Sequence, residues 1–237
     1  GIVIGDRREI MFASLAMFVK EVEVIQLASG DLSGEISLVD DYFRHLITIL
    51  SGRQVSFTER SHEKSLEIKS CLNLKSSAKY LPNPTLSDLN LDKIKVENST
   101  PYDLVLIHPQ SLSLCETKKD ALEVCEKISE EKDTIIIKGN KDKNFEVLYE
   151  TWNKMSKSRE NIKVYENLSK EGFIGLLANC ENFITNSSCA FYEAPFFLSS
   201  DQIVRIGRRN KNREIANYTK DDIVSSEKIV NFITENL

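Results

Sequence analysis

The stretch GIVIGDRREIMFASLAMFVKEVEVIQL, residues 1–27, contains one complete repeating element of an α/β fold. IVIG is typical of a buried strand, REIMFASLAMFVK has a helical pattern, and VEVIQL is again strand-like. A strand, a helix and a second strand in succession indicate a parallel sheet whose faces are covered by helices. The same alternation continues through VDDYFRHLITILS, QVSFTE and HEKSLEIKSCLNL.

A polar segment rich in Pro and Asn, residues 81–102, interrupts this alternation, which then restarts with the strand-like run DLVLIHP. Further strand-like runs, DTIIIKGN, IKVYEN, NFITN and IVRIG, alternate with helical patterns up to the closing helix SSEKIVNFITEN. We therefore predict an α/β protein of two Rossmann-like lobes with parallel sheets, residues 1–90 and residues 91–237.

The strand IVIG is expected in the middle of such a sheet, yet the sequence begins inside it. The sequence therefore predicts a first lobe that lacks its early strands. Without them, the strand edge and the apolar face of MFASLAMFV lie open, and open apolar edges recruit partners. We expect either that the chain forms a homo-oligomer, a dimer, through this N-terminal lobe, or that it is a fragment whose partner segment was lost.

Composition excludes several classes of protein. A net charge of −5 argues against a general nucleic-acid or membrane surface, and no apolar run is long enough to cross a membrane. The five cysteines form no CxxC pair and only three histidines are present, so we predict no metal site and no cofactor. An odd number of cysteines and no secretory signal favour a cytoplasmic location.

Polar residues follow five of the predicted strands, at the edge where ligands bind in parallel sheets. A single polar residue at such a position is more often a helix cap. Five of them in two lobes favour a ligand site, and they are Gly5-Asp6-Arg7, Ser29-Gly30-Asp31, His108-Pro109, Gly139-Asn140 and Asn186-Ser187-Ser188.

The turn TNSSCAFYEAP, residues 185–195, indicates a phosphate and ribose site. Small residues let a ligand approach the backbone, the N–H groups opening the next helix attract phosphate, and Glu193 could accept from paired hydroxyls. A plain helix cap at Asn186 or Ser187 explains the turn equally well by itself. The nearby cluster of Arg205, Arg208, Arg209, Lys211 and Arg213 favours a nucleotide diphosphate.

These motifs together resemble the UDP-N-acetylglucosamine 2-epimerase family, particularly the hydrolysing type of sialic acid synthesis. The family's GDR, its GGExSG…DDxxRHxITKL and its strand-end HP resemble residues 5–7, SGDLSGEISLVDDYFRHLITIL at 29–50, and His108-Pro109. Its PNxD loop, its NSSxGxxE and its IGxRxxxRE resemble residues 139–142, NSSCAFYE at 186–193, and IGRRNKNRE at 206–214. The resemblance covers almost the whole chain and implies a fold of the GT-B type.

The resemblance implies elimination of UDP from the sugar, a glycal-like intermediate, and addition of water to give N-acetylmannosamine. It implies that the catalytic residues are Asp6, Asp31, Asp41 and His108, with Asp40 as a neighbour that could share the role. It implies that the UDP-sugar substrate is bound by Arg7, Arg44, Asn140, Asn186, Ser187, Ser188, Glu193 and Arg209.

The sequence also departs from the family pattern. Ser29 replaces the first glycine of GGE, the shorter Asp31 replaces its glutamate, Ile49 replaces a lysine and Ala190 a glycine. Two alternatives therefore remain open: a glycosyltransferase of the same two-lobe architecture, and a shortened, non-catalytic relative that binds a UDP-sugar.

Overall fold

The computed structural model describes residues 1–33, 39–87, 100–215 and 225–235. The chain forms two compact units, residues 1–88 together with 211–237, and residues 89–210. Each unit contains one sheet whose paired strands are all parallel, so the predicted α/β class with two parallel sheets is confirmed.

The sheet of the first unit has the order β1-β2-β3-β4, formed by β1 (Ile2–Ile4), β2 (Ile25–Leu27), β3 (Arg53–Ser56) and β4 (Ser77–Tyr80). Its helices are α1 (Arg8–Val19), α2 (Val39–Leu50), α3 (Glu59–Cys71) and α8 (Ser225–Thr234). The sequence did not predict β4, because SAKY is short, mostly exposed and free of any apolar run.

Strand β1 is an edge strand, and in the described residues it pairs with β2 alone. Its side chains Ile2 and Ile4 are 57% and 55% exposed, although both are large and apolar. On the adjoining helix α1, Phe12 and Phe18 are 61% and 54% exposed. In the described residues, β1 and α1 therefore expose several large apolar side chains.

The sheet of the second unit has the order β7-β6-β5-β8-β9, formed by β5 (Tyr102–Ile107), β6 (Asp133–Lys138), β7 (Ile162–Tyr165), β8 (Asn182–Thr185) and β9 (Ile203–Arg205). Its helices are α4 (Leu114–Lys127), α5 (Phe145–Ser158), α6 (Lys170–Asn179) and the short α7 (Cys189–Tyr192). Strand β5 is buried along its whole length, and Trp152 of α5 is 0% exposed in the core beside it.

Helix α8 packs on the first unit, where Ile229 and Phe232 contact Val55 and Phe57 at the end of β3. The sequence-based division placed all of residues 91–237 in the second lobe, whereas the structure groups residues 211–237 with the first unit. An amphipathic helix pattern predicts that one face is buried but does not say which sheet buries it.

The central strand of the second sheet, β5, pairs with β8. A polar residue follows each strand, His108 after β5 and Asn186 after β8. The chain leaves these strands towards opposite halves of the sheet, which is where α/β sheets bind ligands. The predicted connecting segment 81–102 falls largely outside the described residues. In the described part of the chain, no helix is both long and apolar enough to cross a membrane.

Candidate functional site

Two of the predicted acids of the first unit lie around the guanidinium of Arg44. Asp6 follows β1, Asp41 lies in the first turn of α2, and Arg44 lies three residues further along that helix. Arg44 Nη1 donates to Asp41 Oδ1 at 2.8 Å and to the backbone oxygen of Asp31 at 2.7 Å, while Nη2 pairs with the Asp6 carboxylate. One arginine therefore joins the ends of β1 and β2 to the start of α2.

The three side chains of this cluster are buried to different degrees. The Arg44 side chain is 4% exposed, against 14% for Asp41 and 27% for Asp6. A cation removed from water needs carboxylate partners to offset its lost hydration, and two are supplied here. Asp6 is the most exposed member and therefore the one open to a ligand.

Asp41 is held on both of its oxygens. The Ser33 N–H donates to Oδ1 at 3.1 Å and the Ser33 hydroxyl donates to Oδ2 at 2.7 Å, in addition to the Arg44 contact. Such a carboxylate is held in one orientation and is well placed to orient Arg44.

Asp31 pairs through its carboxylate with Arg213, which the sequence indicated only as a member of the basic cluster near the phosphate turn. Both side chains are about nine-tenths buried, and burial lowers the pKa of Arg213 to about 10, so the guanidinium remains charged at neutral pH. The available signal was the basic run IGRRNKNRE, but only the fold shows that its last arginine lies at an acid 182 residues earlier.

The turn that places Asp31 requires glycine. Gly30 has φ +70°, and a Cβ there would lie 1.9 Å from the backbone oxygen of Ser61. The preceding Ser29, which departs from the family pattern, is fully buried and shares a 2.8 Å hydrogen bond with the Ser56 hydroxyl. The serine is thus accommodated at this position. Arg7, also predicted to bind substrate, is exposed at the N-cap of α1.

In the second unit, the protonation state of His108 follows from its contacts. Its Nδ1 accepts the backbone N–H of Asn140 at 3.2 Å, so in the neutral ring the proton lies on Nε2. Burial, with a further contribution from Arg209, lowers the pKa of His108 to about 4. At neutral pH His108 is therefore an uncharged hydrogen-bond donor.

The residues around His108 hold it closely. A Cβ at Gly139 would lie 2.3 Å from the Ile107 oxygen and 2.9 Å from His108 Nδ1, so only glycine lets Asn140 approach the ring. Arg209 Nη1 donates to the backbone oxygen of Pro109 at 2.7 Å, which holds that arginine beside the histidine.

The amide of Asn186 continues the pairing of β8 with β5 beyond the last backbone hydrogen bonds. The His108 N–H donates to Asn186 Oδ1, and Asn186 Nδ2 donates to the His108 oxygen, both at 2.8 Å. Asn186 is only 3% exposed. Its side chain therefore holds the backbone of His108, and its contact with substrate stays a prediction.

The turn after β8 leads into a short helix. Ser187 accepts the Cys189 N–H at 3.3 Å through its hydroxyl, and Ser188 is the N-cap of α7, which is only four residues long. Glu193 follows directly as the C-cap of that helix. Ser188 and Glu193 are both partly exposed, as a ligand site requires.

The carboxyl group of Glu193 has unused acceptor capacity. Its buried Oε2 has no hydrogen-bond partner among the described residues, and burial raises the pKa of Glu193 to about 7. A buried acceptor without a donor is costly, and a ligand hydroxyl group would supply the donor.

Comparison with known proteins places this chain in a family. The profile of the UDP-N-acetylglucosamine 2-epimerase family matches residues 2–235. A hydrolysing GDP/UDP-N,N'-diacetylbacillosamine 2-epimerase of Campylobacter jejuni is 25% identical over 222 residues, which cover 90% of this chain and 57% of that protein. A hydrolysing UDP-N,N'-diacetylbacillosamine 2-epimerase of Legionella pneumophila is 23% identical and is covered over 63% of its length. The chain therefore spans about three fifths of the curated relatives that it matches.

Solved structures agree on the fold. The UDP-GlcNAc 2-epimerase of Methanocaldococcus jannaschii, in complex with UDP-GlcNAc and UDP, matches 99% of this chain and 75% of its own, with a TM-score of 0.72 and 16% identity. The enzyme of Neisseria meningitidis bound to UDP-GlcNAc gives the same TM-score and identity, over 100% of this chain and 76% of its own. The family profile matches nearly the whole chain, and its two parallel sheets belong to the same α/β fold as these structures. The chain therefore belongs to the UDP-N-acetylglucosamine 2-epimerase family.

Proposed function

We propose that this protein is a hydrolysing 2-epimerase of a UDP-linked 2-acetamido sugar, with UDP-N-acetylglucosamine as substrate and UDP and N-acetylmannosamine as products. The observation that carries this proposal is the cluster of Asp6 and Asp41 around Arg44, joined by the backbone of Asp31. Proton removal at a sugar carbon needs a fixed carboxylate, whereas sugar transfer to an acceptor has no use for a base at carbon 2. The hydrolysing curated relatives support the same reaction type.

The reaction divides between the groups described above. Asp6, the most exposed carboxylate of the cluster, takes the proton from carbon 2 while the bond from carbon 1 to UDP breaks, which leaves a double bond between the two carbons. The His108 Nε2–H group donates a hydrogen bond to the departing phosphate. Water then adds hydroxyl to carbon 1 and hydrogen to the opposite face of carbon 2, and UDP is released.

The test is incubation with UDP-N-acetylglucosamine in D₂O. We expect release of UDP, a product with inverted configuration at carbon 2, and one deuterium at that carbon. UDP-N,N'-diacetylbacillosamine is a parallel substrate, because the curated relatives are named for that sugar. Transfer to an added acceptor with carbon 2 unchanged would establish the transferase alternative, and no UDP from either substrate would overturn the proposal.

We predict that Ser188→Leu weakens UDP binding at least tenfold, because a bulky apolar side chain at the N-cap of α7 occupies space that the phosphate needs. Calorimetric titration with UDP measures the change, and circular dichroism checks that the protein is folded. Ser200→Leu is the matched control, since Ser200 is exposed in the same unit and carries no predicted contact. Equal UDP affinity in Ser188→Leu and the wild type would show that the turn is purely structural.

The raised pKa of Glu193 predicts that substrate affinity depends on pH. With its pKa raised to about 7 by burial, Glu193 is largely protonated at pH 6 and ionised at pH 8, and the ionised form accepts from two ribose hydroxyls. Affinity for UDP-N-acetylglucosamine, whose own phosphates do not titrate in this range, should rise from pH 6 to pH 8. Calorimetry at the two pH values measures this rise. Glu193→Gln should bind more weakly and show no such rise, and a persistent rise would assign the titration to another group.

We also propose that the chain forms a dimer through its first unit, using the open edge of β1 and the exposed apolar face of α1. Phe12→Glu combined with Phe18→Glu should lower the sedimentation coefficient to that of a monomer, because charged residues oppose apolar association. Leu122→Glu is the control, being 64% exposed on α4 of the other unit. A wild-type chain that sediments as a monomer at high concentration would contradict this proposal.

A further inference from the structure

We propose that Asp120 on α4 is a positioning residue for His108, acting through the side-chain amide of Asn186. The significance of that position for catalysis rests on the function proposed above, whereas the positioning itself is a property of the free protein.

Asp120 lies next to the contact between Asn186 and His108. Its Oδ2 accepts from Asn186 Nδ2 at 3.1 Å and from Gln110 Nε2 at 3.1 Å. Asp120, Asn186 and Gln110 are 2%, 3% and 7% exposed, so water does not compete for these hydrogen bonds. Both hydrogens of the Asn186 amide nitrogen are therefore used, one by Asp120 and one by the His108 oxygen.

The carboxylate determines which way the Asn186 amide points. An ionised carboxylate only accepts hydrogen bonds, so the amide nitrogen must face Asp120 and the amide oxygen must face the His108 N–H. Burial raises the pKa of Asp120, while the hydrogen bonds from Gln110 and Asn186 oppose that shift and favour the charged form. The backbone of His108 is thus fixed by a group two contacts away.

The same carboxylate also contacts the loop that carries Arg209. Gly207 has φ +62°, and a Cβ there would lie 2.2 Å from Asp120 Oδ1, so the loop passes directly against this acid. Asn210, on the same loop as Gly207, donates through Nδ2 to the backbone oxygen of Asn186 at 2.9 Å. Asp120 therefore lies between the ends of β5, β8 and β9, which carry His108, Asn186 and Arg209.

The first measurement is an NMR titration of the histidine rings in the free protein. The chain has only three histidines, so His45 and His62 serve as internal references for His108. Asp120→Ala removes the acceptor that holds the Asn186 amide, so that the His108 ring gains contact with water; because burial is the main cause of its pKa of about 4, we expect that pKa to rise by about one unit or more. Asp120→Asn keeps an oxygen at the same place and should leave the His108 pKa within about half a unit of the wild-type value.

The second measurement is turnover of UDP-N-acetylglucosamine by the same variants. We expect Asp120→Ala to lose about 10- to 100-fold in kcat with KM within about threefold, and Asp120→Asn to keep most of kcat. Glu126→Gln is the matched control, because it removes one negative charge from an exposed position on the same helix. Should Asp120→Ala not fold, Asp120→Ser carries the same test with room for a water molecule.

An Asp120→Ala protein with an unchanged His108 titration would overturn the proposal, and so would an Asp120→Asn protein as impaired as Asp120→Ala. A wild type without turnover would defeat the proposed function alone, because the titration decides the role of Asp120 without any substrate.

Discussion

Arg44→Met should abolish turnover and lower the free energy of unfolding by about 3–5 kcal/mol. The substitution keeps most of the side-chain volume but removes the cation that pairs with Asp6 and Asp41 and holds the backbone of Asp31. Asp41 is then a mostly buried carboxylate without its arginine. Urea unfolding gives the stability, and UDP release gives the activity.

Arg53→Met is the matched control for this experiment. Arg53 is 4% exposed, pairs with Glu23 and donates to the Ile233 oxygen, but it contacts none of the three predicted acids. Its loss should reduce stability while the folded protein keeps its activity. Equal loss of activity in the two variants would show that Arg44 acts through stability alone.

His108→Ala should reduce kcat by about 10²- to 10³-fold while UDP affinity stays within about tenfold. The reason is that the uncharged Nε2–H group acts on negative charge that develops on the leaving phosphate, which the ground state lacks. Single-turnover kinetics and UDP calorimetry measure the two quantities separately. His62→Ala is the control for loss of an imidazole outside the site.

The low pKa of His108 adds a second criterion. Since its pKa is about 4 in the free protein, His108 stays neutral from pH 6 upwards and should contribute no break to kcat/KM between pH 6 and pH 8. Losses of affinity and kcat that are equal in His108→Ala would remove this residue from the catalytic group.

The sequence predicted those parts of the fold that depend on local patterns. Apolar runs such as DLVLI and DTIII gave β5 and β6, because a strand buried on both faces has few other solutions. Asp6, Asp31 and His108 were predicted as candidate site residues because ligands in such sheets lie beyond the ends of strands.

The remaining features depend on contacts between residues far apart in the chain. Arg213 meets Asp31 across 182 residues, and Asn186 meets Asp120 across 66. No periodicity encodes such a pairing. The contact of Asn186 with His108 was not predicted either, because a polar residue at a strand end has the same sequence signature whether it binds substrate or holds its neighbour.

The return of α8 to the first unit has a consequence for how the protein is made. Val55 and Phe57 are covered by Ile229 and Phe232, so the core of the first unit stays incomplete until residue 232 has been synthesised. At ribosomal rates of about 5–20 residues per second, the delay between residue 88 and residue 232 is about seven to thirty seconds. The second unit is continuous from residue 89 to 210 and can fold in that interval. During translation the second unit should therefore become protease-resistant first. The first unit, although its synthesis starts earlier, should still bind chaperones at that time.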